Sequence, residues 1–399
     1  MFSDLCRAVD DGNVCLNGLL DLSAAFDTVD HDILISRLNL TFNIKSQALQ
    51  WFKSYLSDRT QSVRISSCSS SISYLRYGIP QGSILGPLLF VLYASPIEDI
   101  VRKHGLWSHC YADDTQIYFY CAPDQIDDLI DSFTNCIAEL EDWMAANKLK
   151  LNTDKTEFVW VASRSRFKNI QNNTRCVNVG SAVISSSSGS RNIGVYFDQH
   201  LDMKNHILNV CRQGFFQLRQ LRVICRRLPK DILKILLHSF VFSRLDYCNS
   251  LLYGLPKCHL KKLQSVQNAA ARLFGGLRKY DHITPILRDQ LHWLPISARI
   301  DYKIAVLTYK ALHNQAPKYL TDMCSLASEF TGLSRNRSAT NGKLVPTSWN
   351  TVGYGKRCFN FAAPEVGNKL PVSLTQNNNF DDFRKRLKTV LFTDAYTHT

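Results

Sequence analysis

The chain predicts an α+β protein, with an antiparallel sheet and packed helices first and a mostly helical remainder. Three observations carry this. An aromatic and β-branched hairpin runs from Trp107 to Cys121, an apolar strand runs up to Asp21, and three- and four-residue apolar spacing dominates after Ile126 and again from about residue 201.

Leu19-Leu20-Asp21-Leu22 opens as an apolar strand whose first charge falls where the strand gives way to a turn, which places an acid at a sheet edge. A local role is equally open, with Asp21 as a helix cap and Ser23 as its rival. Further on, Pro80 and Gly82 mark a turn, Ser83 is suited to cap a helix start, Pro87 falls in the first turn, and Leu88 to Ala94 continue as a buried helix. A glycine beside a polar amide at such a junction admits a ligand close to the backbone, although an ordinary loop-to-helix junction has the same residues. Trp107–Tyr111 and Thr115–Cys121 read as strands joined through Ala112-Asp113-Asp114. Ile126, Leu129, Ile130, Phe133, Ile137, Leu140, Trp143 and Met144 then form the core stripe of a helix that starts near the cap candidate Asp124. A turn containing Lys155 leads to a strand through Phe158 and Trp160, and Arg191 to Asp198 reads as one more strand.

Neighbouring carboxylates repel unless a proton or cation intervenes. Asp113 and Asp114 alone are compatible with an ordinary turn. Joined by Asp21, they make a candidate site for two divalent ions, of the kind that activates a 3′-hydroxyl and stabilises leaving pyrophosphate. Hard oxygen ligands favour magnesium or manganese over zinc.

In wording and order, Leu20 to His31, Gly78 to Phe90 and Tyr111-Ala112-Asp113-Asp114-Thr115-Gln116 resemble the palm of a reverse transcriptase, and most closely that of non-LTR retrotransposons (LINEs) of the jockey-type superfamily. The resemblance implies a polymerase palm, then a helical thumb and a helical C-terminal region. It implies that Asp21, Asp113 and Asp114 hold two Mg²⁺ or Mn²⁺ ions, with the Leu22 carbonyl as a further ligand. Phe26 is then the steric gate beneath the incoming sugar, and Gln81 and Gly82 line the nucleotide and template side. Lys155 matches a lysine near the triphosphate, where it donates a proton or neutralises charge; a solvated turn lysine is the alternative. The implied partners are an RNA template, a DNA primer and deoxynucleoside triphosphates. An intron- or telomerase-type polymerase is a rival reading, against which stand the wording from Ala24 to His31 and from His282 to Leu320.

Composition agrees with a polyanionic partner: the formal net charge is +13 over 399 residues, with an isoelectric point near 9.1. Arg212, Arg219, Arg222, Arg226, Arg227 and Lys230 cluster, interleaved with Phe215, Phe216, Leu218, Leu221, Val223, Ile224 and Leu228. This is the pattern of a basic amphipathic helix whose apolar side packs while its arginines reach phosphates, or else of a solvated charged face. A second basic stretch, Arg384 to Lys388, reads as the polar face of a terminal helix packed through Phe383, Leu387, Leu391 and Phe392, with nucleic-acid contact or nuclear import as alternatives. The thirteen cysteines are odd in number and none stand at CxxC spacing, so no disulfide or zinc site is expected. No run has membrane length, and a nuclear or cytoplasmic protein is expected.

The expected organisation is a palm with a remnant of the fingers over 1–200, a thumb-like helical region over 201–290 and a helical C-terminal region over 291–399. Few residues precede Asp21, where the family has fingers that grip the triphosphate, and no endonuclease is present. The expectation is therefore a truncated polymerase whose activity alone stays open. The competing expectation is a nucleic-acid-binding remnant without polymerase activity.

Overall fold

The computed structural model describes residues 1–80, 82–168, 170, 176–180, 182–329 and 342–397. They divide into two compact units: Gly12–Gly194 with Met1 and Asp198–His200, and Leu201 onward with Phe2–Asp11 and Val195–Phe197. Helix α1 (Phe2–Asp10) thus belongs to the second unit.

The first unit is built on strand β1 (Val14–Leu20). Helix α2 (His31–Leu40) and helix α3 (Leu85–Ala94) follow, then β2 (Trp107–Tyr111), β3 (Asp114–Cys121), helix α4 (Ile126–Ala146) and β4 (Glu157–Val161). The four strands form an antiparallel sheet in the order β2-β3-β1-β4. Because β1 is central, it is buried along almost its whole length, which explains its unbroken apolar run. Its register sets Leu16 between Phe119 and Trp160, and Leu20 opposite Thr115. Trp160, Tyr93, Phe90, Phe133 and Phe158 are fully buried in the core, each contributing about 1.5–3 kcal/mol of transfer free energy.

Asp30 caps α2, its Oδ1 accepting the amides of Asp32 and Ile33 at 3.0 Å each. The sequence candidates Asp21 and Ser23 do not play that part. Ser83 does act at the start of α3, where its Oγ accepts the Gly86 amide at 3.0 Å, and Pro87 sits in the first turn. Leu88 and Val91 on that helix are about half exposed, so α3 is buried on one side only. In α4 the expected stripe is buried except for Ile130 and Trp143, which are partly buried, but its N-cap is Gln125 without a side-chain bond, and Asp124 is not the cap. The single strand expected from Arg191 to Asp198 is two, β5 (Gly189–Asn192) and β6 (Val195–Asp198). They are separated by Ile193 and Gly194 at φ of 42° and 82°.

The second unit is helical: α1, then α5 (Lys204–Ile224), α6 (Lys230–Leu237), α7 (Lys257–Gly275), α8 (Ile296–Leu312) and α9 (Phe380–Thr397). A Cβ on Gly214 would stand 2.7 Å from Val266 Cγ1, so a glycine is what lets α5 and α7 touch. Phe2, Leu5, Cys6 and Val9 of α1 are buried, and its last residue, Asp10, accepts the amides of Asn350 (2.7 Å), Thr351 (2.6 Å) and Gly355 (3.2 Å). Among the described residues, no helix is long and apolar enough to cross a membrane.

Candidate active site

The hairpin pairs Tyr111 with Asp114, leaving Ala112 and Asp113 as its two-residue turn; Ala112 takes the left-handed conformation at φ 55°. Since Leu20 pairs with Thr115, the residue that follows β1, Asp21, arrives beside Asp114. The three acids therefore gather at one end of the sheet. Burial first, then Asp113 and Asp21, push the Asp114 carboxyl above its ordinary value.

A second set of backbone contacts brings in the lysine. Asn152 N donates to Asp21 O (2.8 Å) and Ser23 N to Lys150 O (2.9 Å), the pattern of the isolated bridge Leu22–Leu151. In this pattern the Leu22 carbonyl turns to the opposite edge of the chain, the β3 side. Thr156 closes the turn, its amide and hydroxyl both donating to Asn152 O, and Lys155 Nζ comes to lie 3.6 Å from Asp21 Oδ2. That buried carboxylate oxygen has no hydrogen bond. The Lys155 side chain is 70% exposed, so water screens much of the attraction.

Leu19, Leu20, Asp21, Asp114, Thr115, Lys155, Glu157, Arg191, Asn192 and Ile193 line a cleft of about 240 Å³. An orphaned buried carboxylate oxygen and crowded acids, all hard donors, suit a divalent cation. As the side chains stand, no group of three or more His, Cys, Asp or Glu among the described residues is arranged to hold an ion. Arg191, on β5, is the cleft residue that sequence reasoning missed. Nothing local marks a lone arginine as lining the same cleft as an acid 170 residues upstream.

The glycine-rich junction meets the segment after Asp21. Gly78 N donates to Val29 O, Ile79 N to Phe26 O, and His31 Nε2 bonds Gly78 O at 2.7 Å. At φ 87°, and with a would-be Cβ 2.9 Å from Asp27 O, Gly78 admits no side chain. Phe26 is half-buried, its ring 5.0 Å from that of Phe90. Gly82 is left-handed at φ 79° with open space around it, while Gln81 lies outside the described residues.

Arg212, Arg219, Arg222, Arg226, Arg227 and Lys230 are all exposed, on α5, the 3₁₀ turn Cys225–Arg227 and the start of α6. The apolar residues between them do not all pack as expected. Leu218 and Leu221 are buried, but Phe215 is 40% exposed, Phe216 48%, Ile224 44% and Val223 79%. Helical geometry explains why: at about 100° per residue, Phe215, Phe216 and Val223 share an arc of about 120° with Arg212, Arg219 and Arg222. The buried Ile207, Cys211, Gly214, Leu218 and Leu221 occupy the neighbouring arc.

Residues 7–193 match the reverse transcriptase (RNA-dependent DNA polymerase) family. Over 298 residues the chain is 26% identical to the "Probable RNA-directed DNA polymerase from transposon BS" of Drosophila melanogaster, covering 71% of this chain and 32% of that protein. It is 25% identical over 299 residues to the "RNA-directed DNA polymerase from mobile element jockey" of the same species, covering 71% and 31%. A structure of telomerase from Candida albicans with a fragment of telomeric RNA aligns over 72% of this chain and 47% of that one, at 14% identity and a TM-score of 0.33. The chain carries a reverse transcriptase domain. Its relatives include RNA-directed DNA polymerases named from the mobile element jockey and, as probable ones, from the transposons BS and X-element. It spans about a third of the length of the curated relatives it matches.

Proposed function

We propose that this chain performs template-directed addition of deoxynucleotides to a DNA primer on an RNA template. The observation that carries the reading is the register of β1 on β3, which sets Asp21 beside Asp114 with Asp113 on the adjoining turn. In this reading the sheet unit is the palm, residues 201–290 the thumb and 291–399 a helical C-terminal region. Asp21, Asp113, Asp114 and the Leu22 carbonyl would hold two Mg²⁺ or Mn²⁺ ions. When bound, the ions supply a lowered barrier for both the attacking and the leaving oxygen. Lys155 stands at the same cleft to meet charge that develops on pyrophosphate, and Arg191 lines that cleft as a second cation. Phe26, backed by Phe90, closes the sugar side, and Gln81-Gly82 passes the nucleotide and template. The exposed arginines of α5 suit a primer–template duplex held by its backbone. The protein would act in the nucleus or cytoplasm, wherever its RNA meets DNA.

The rival reading is a nucleic-acid-binding remnant. One observation favours it: the carboxylates as placed do not form a three-ligand cluster. Primer extension with the full chain on an RNA template decides between them. Incorporation that falls at least about 10³-fold in Asp113→Asn supports the enzyme. Duplex binding without any extension in the unaltered chain supports the remnant.

A further inference from the structure

Helix α6 runs directly into a π-helical turn, His238–Phe242, a geometry that is rare and often found at functional positions. The turn is braced from behind. Trp293 Nε1 lies 3.2 Å from His238 Nε2, and its ring packs 4.3 Å from Phe242. An indole nitrogen only donates, so His238 Nε2 accepts and the neutral ring carries its proton on Nδ1. Arg299 of α8 lies over Phe242 at 4.7 Å and pairs through both its Nε (2.7 Å) and Nη2 with Asp246.

In front of the turn is a cleft of about 450 Å³ lined by Asp231, Lys234, Ile235, His238 and Ser239. Lys388 of α9 belongs to the same neighbourhood. Burial, then Arg299 and Lys234, hold the Lys388 ammonium below its ordinary value, and burial followed by the same two cations does so for His238. Among the described residues no ion pair is formed by Lys234 or Lys388, whereas Arg384 and Arg386 on the same helix pair with Asp381 and Asp382. The basic stretch from Arg384 to Lys388 thus contains two arginines paired with acids and one lysine, Lys388, that feels Arg299 and Lys234. Of the two carboxylates here, Asp246 is occupied by Arg299, and Asp231 on the cleft wall leaves a net positive charge.

We propose that this cleft, formed by Lys234, His238 and Ser239 with Lys388 in its electrostatic neighbourhood, binds a backbone phosphodiester of a nucleic-acid duplex. Two lysines supply point charges, while the His238 Nδ1–H and the Ser239 hydroxyl supply donors, a set that suits phosphate oxygens without reading bases. The assignment rests on the reading that the chain handles an RNA–DNA duplex, and its test separates the two claims.

Binding of a labelled 20-base-pair RNA–DNA hybrid to the full chain is measured by fluorescence anisotropy from 50 to 300 mM KCl. The double variant Lys234→Ala/Lys388→Ala is expected to bind about tenfold or more weakly at 100 mM salt. Its slope of log affinity against log salt should be smaller by about 2, roughly one unit per phosphate-contacting lysine. Asp231→Asn should tighten binding about two- to threefold, a gain that misfolding cannot imitate. Unchanged affinity and slope in the double variant, weaker binding in Asp231→Asn, or no hybrid binding by the unaltered chain would overturn the proposal. So would a melting-temperature rise with inorganic phosphate that the double variant loses while hybrid binding stays intact, because the cleft would then serve free phosphate. Intact binding with no primer extension sinks the polymerase reading and leaves the cleft standing.

Discussion

Phe26 presses its ring against Phe90 from a half-buried position, so the wall it presents is stiff. If that wall faces the sugar of the incoming nucleotide, Phe26→Val should raise the efficiency of ribonucleotide relative to deoxyribonucleotide incorporation by about tenfold or more. Steady-state incorporation of matched pairs checks it, and an unchanged ratio removes Phe26 from the sugar side. Asp301 makes a different point at the same scale. Burial pushes its carboxyl up to about 6, only partly offset by Lys369. A carboxyl raised above its unfolded value of 3.8 favours the folded state when protonated, so its contribution falls as pH rises from about 4 through 6. Asp301→Asn should therefore stabilise the protein at pH 7.5 by on the order of 1–2 kcal/mol, after allowance for solvent screening, and by almost nothing at pH 4. Urea denaturation at both values tests this; an equal gain at both would contradict it.

Between elements, the joint that holds the sheet unit's helices is polar. Arg37 of α2 donates to the Tyr93 carbonyl of α3 and to Asn147 Oδ1 at 2.7 Å, with its guanidinium over the rings of Tyr93 and Trp143. The Tyr93 hydroxyl donates to the Asn147 carbonyl at 2.5 Å. Arg37→Met would strand these acceptors and should cost about 2–3 kcal/mol, whereas Arg37→Lys, which keeps the charge but loses the fork, should cost less. Thermal unfolding of the pair gives the comparison, and equal losses would assign the effect to charge alone. None of this joint was legible in the sequence, since Arg37 looks like any surface arginine on a helix until its partners 56 and 110 residues away are brought in. What was legible has short range. The β-branched run on either side of Asp113, the 3.6-residue stripe of α4 and the Ser83–Pro87 helix start each declare themselves within a dozen residues. Caps were misjudged for the same reason. Asp21, Asp30 and Asp124 are chemically equal, and only the chain path decides that Asp30 turns to the helix while Asp21 turns to the sheet end. Phe215 and Phe216 failed as core residues because an aromatic counts as buried by composition, while their arc on α5 is the arginines' own.

On the scale of the whole molecule, the first helix is joined to a loop near the far end of the sequence. The Asp10 carboxylate is only 9% exposed and accepts three backbone amides and the Thr351 hydroxyl, while the Ser3 hydroxyl accepts the Phe359 amide at 3.0 Å. Asp10→Ala should destabilise this helical unit by about 2–4 kcal/mol and lower amide-exchange protection together at residues 2–10 and 350–359. Loss confined to the loop would mean that α1 is held by its apolar face alone. The same clasp sets a schedule for biosynthesis. Asp10 and its partner Asn350 lie 340 residues apart, a stretch that takes roughly 20–70 s to translate at about 5–20 residues per second. For all that time Phe2, Leu5, Cys6 and Val9 have no native neighbour from the chain's end to cover them. Helix α1 is thus seated only after the loop around residue 350 has been made, and chaperone demand during synthesis should rest on these nine residues in the interval.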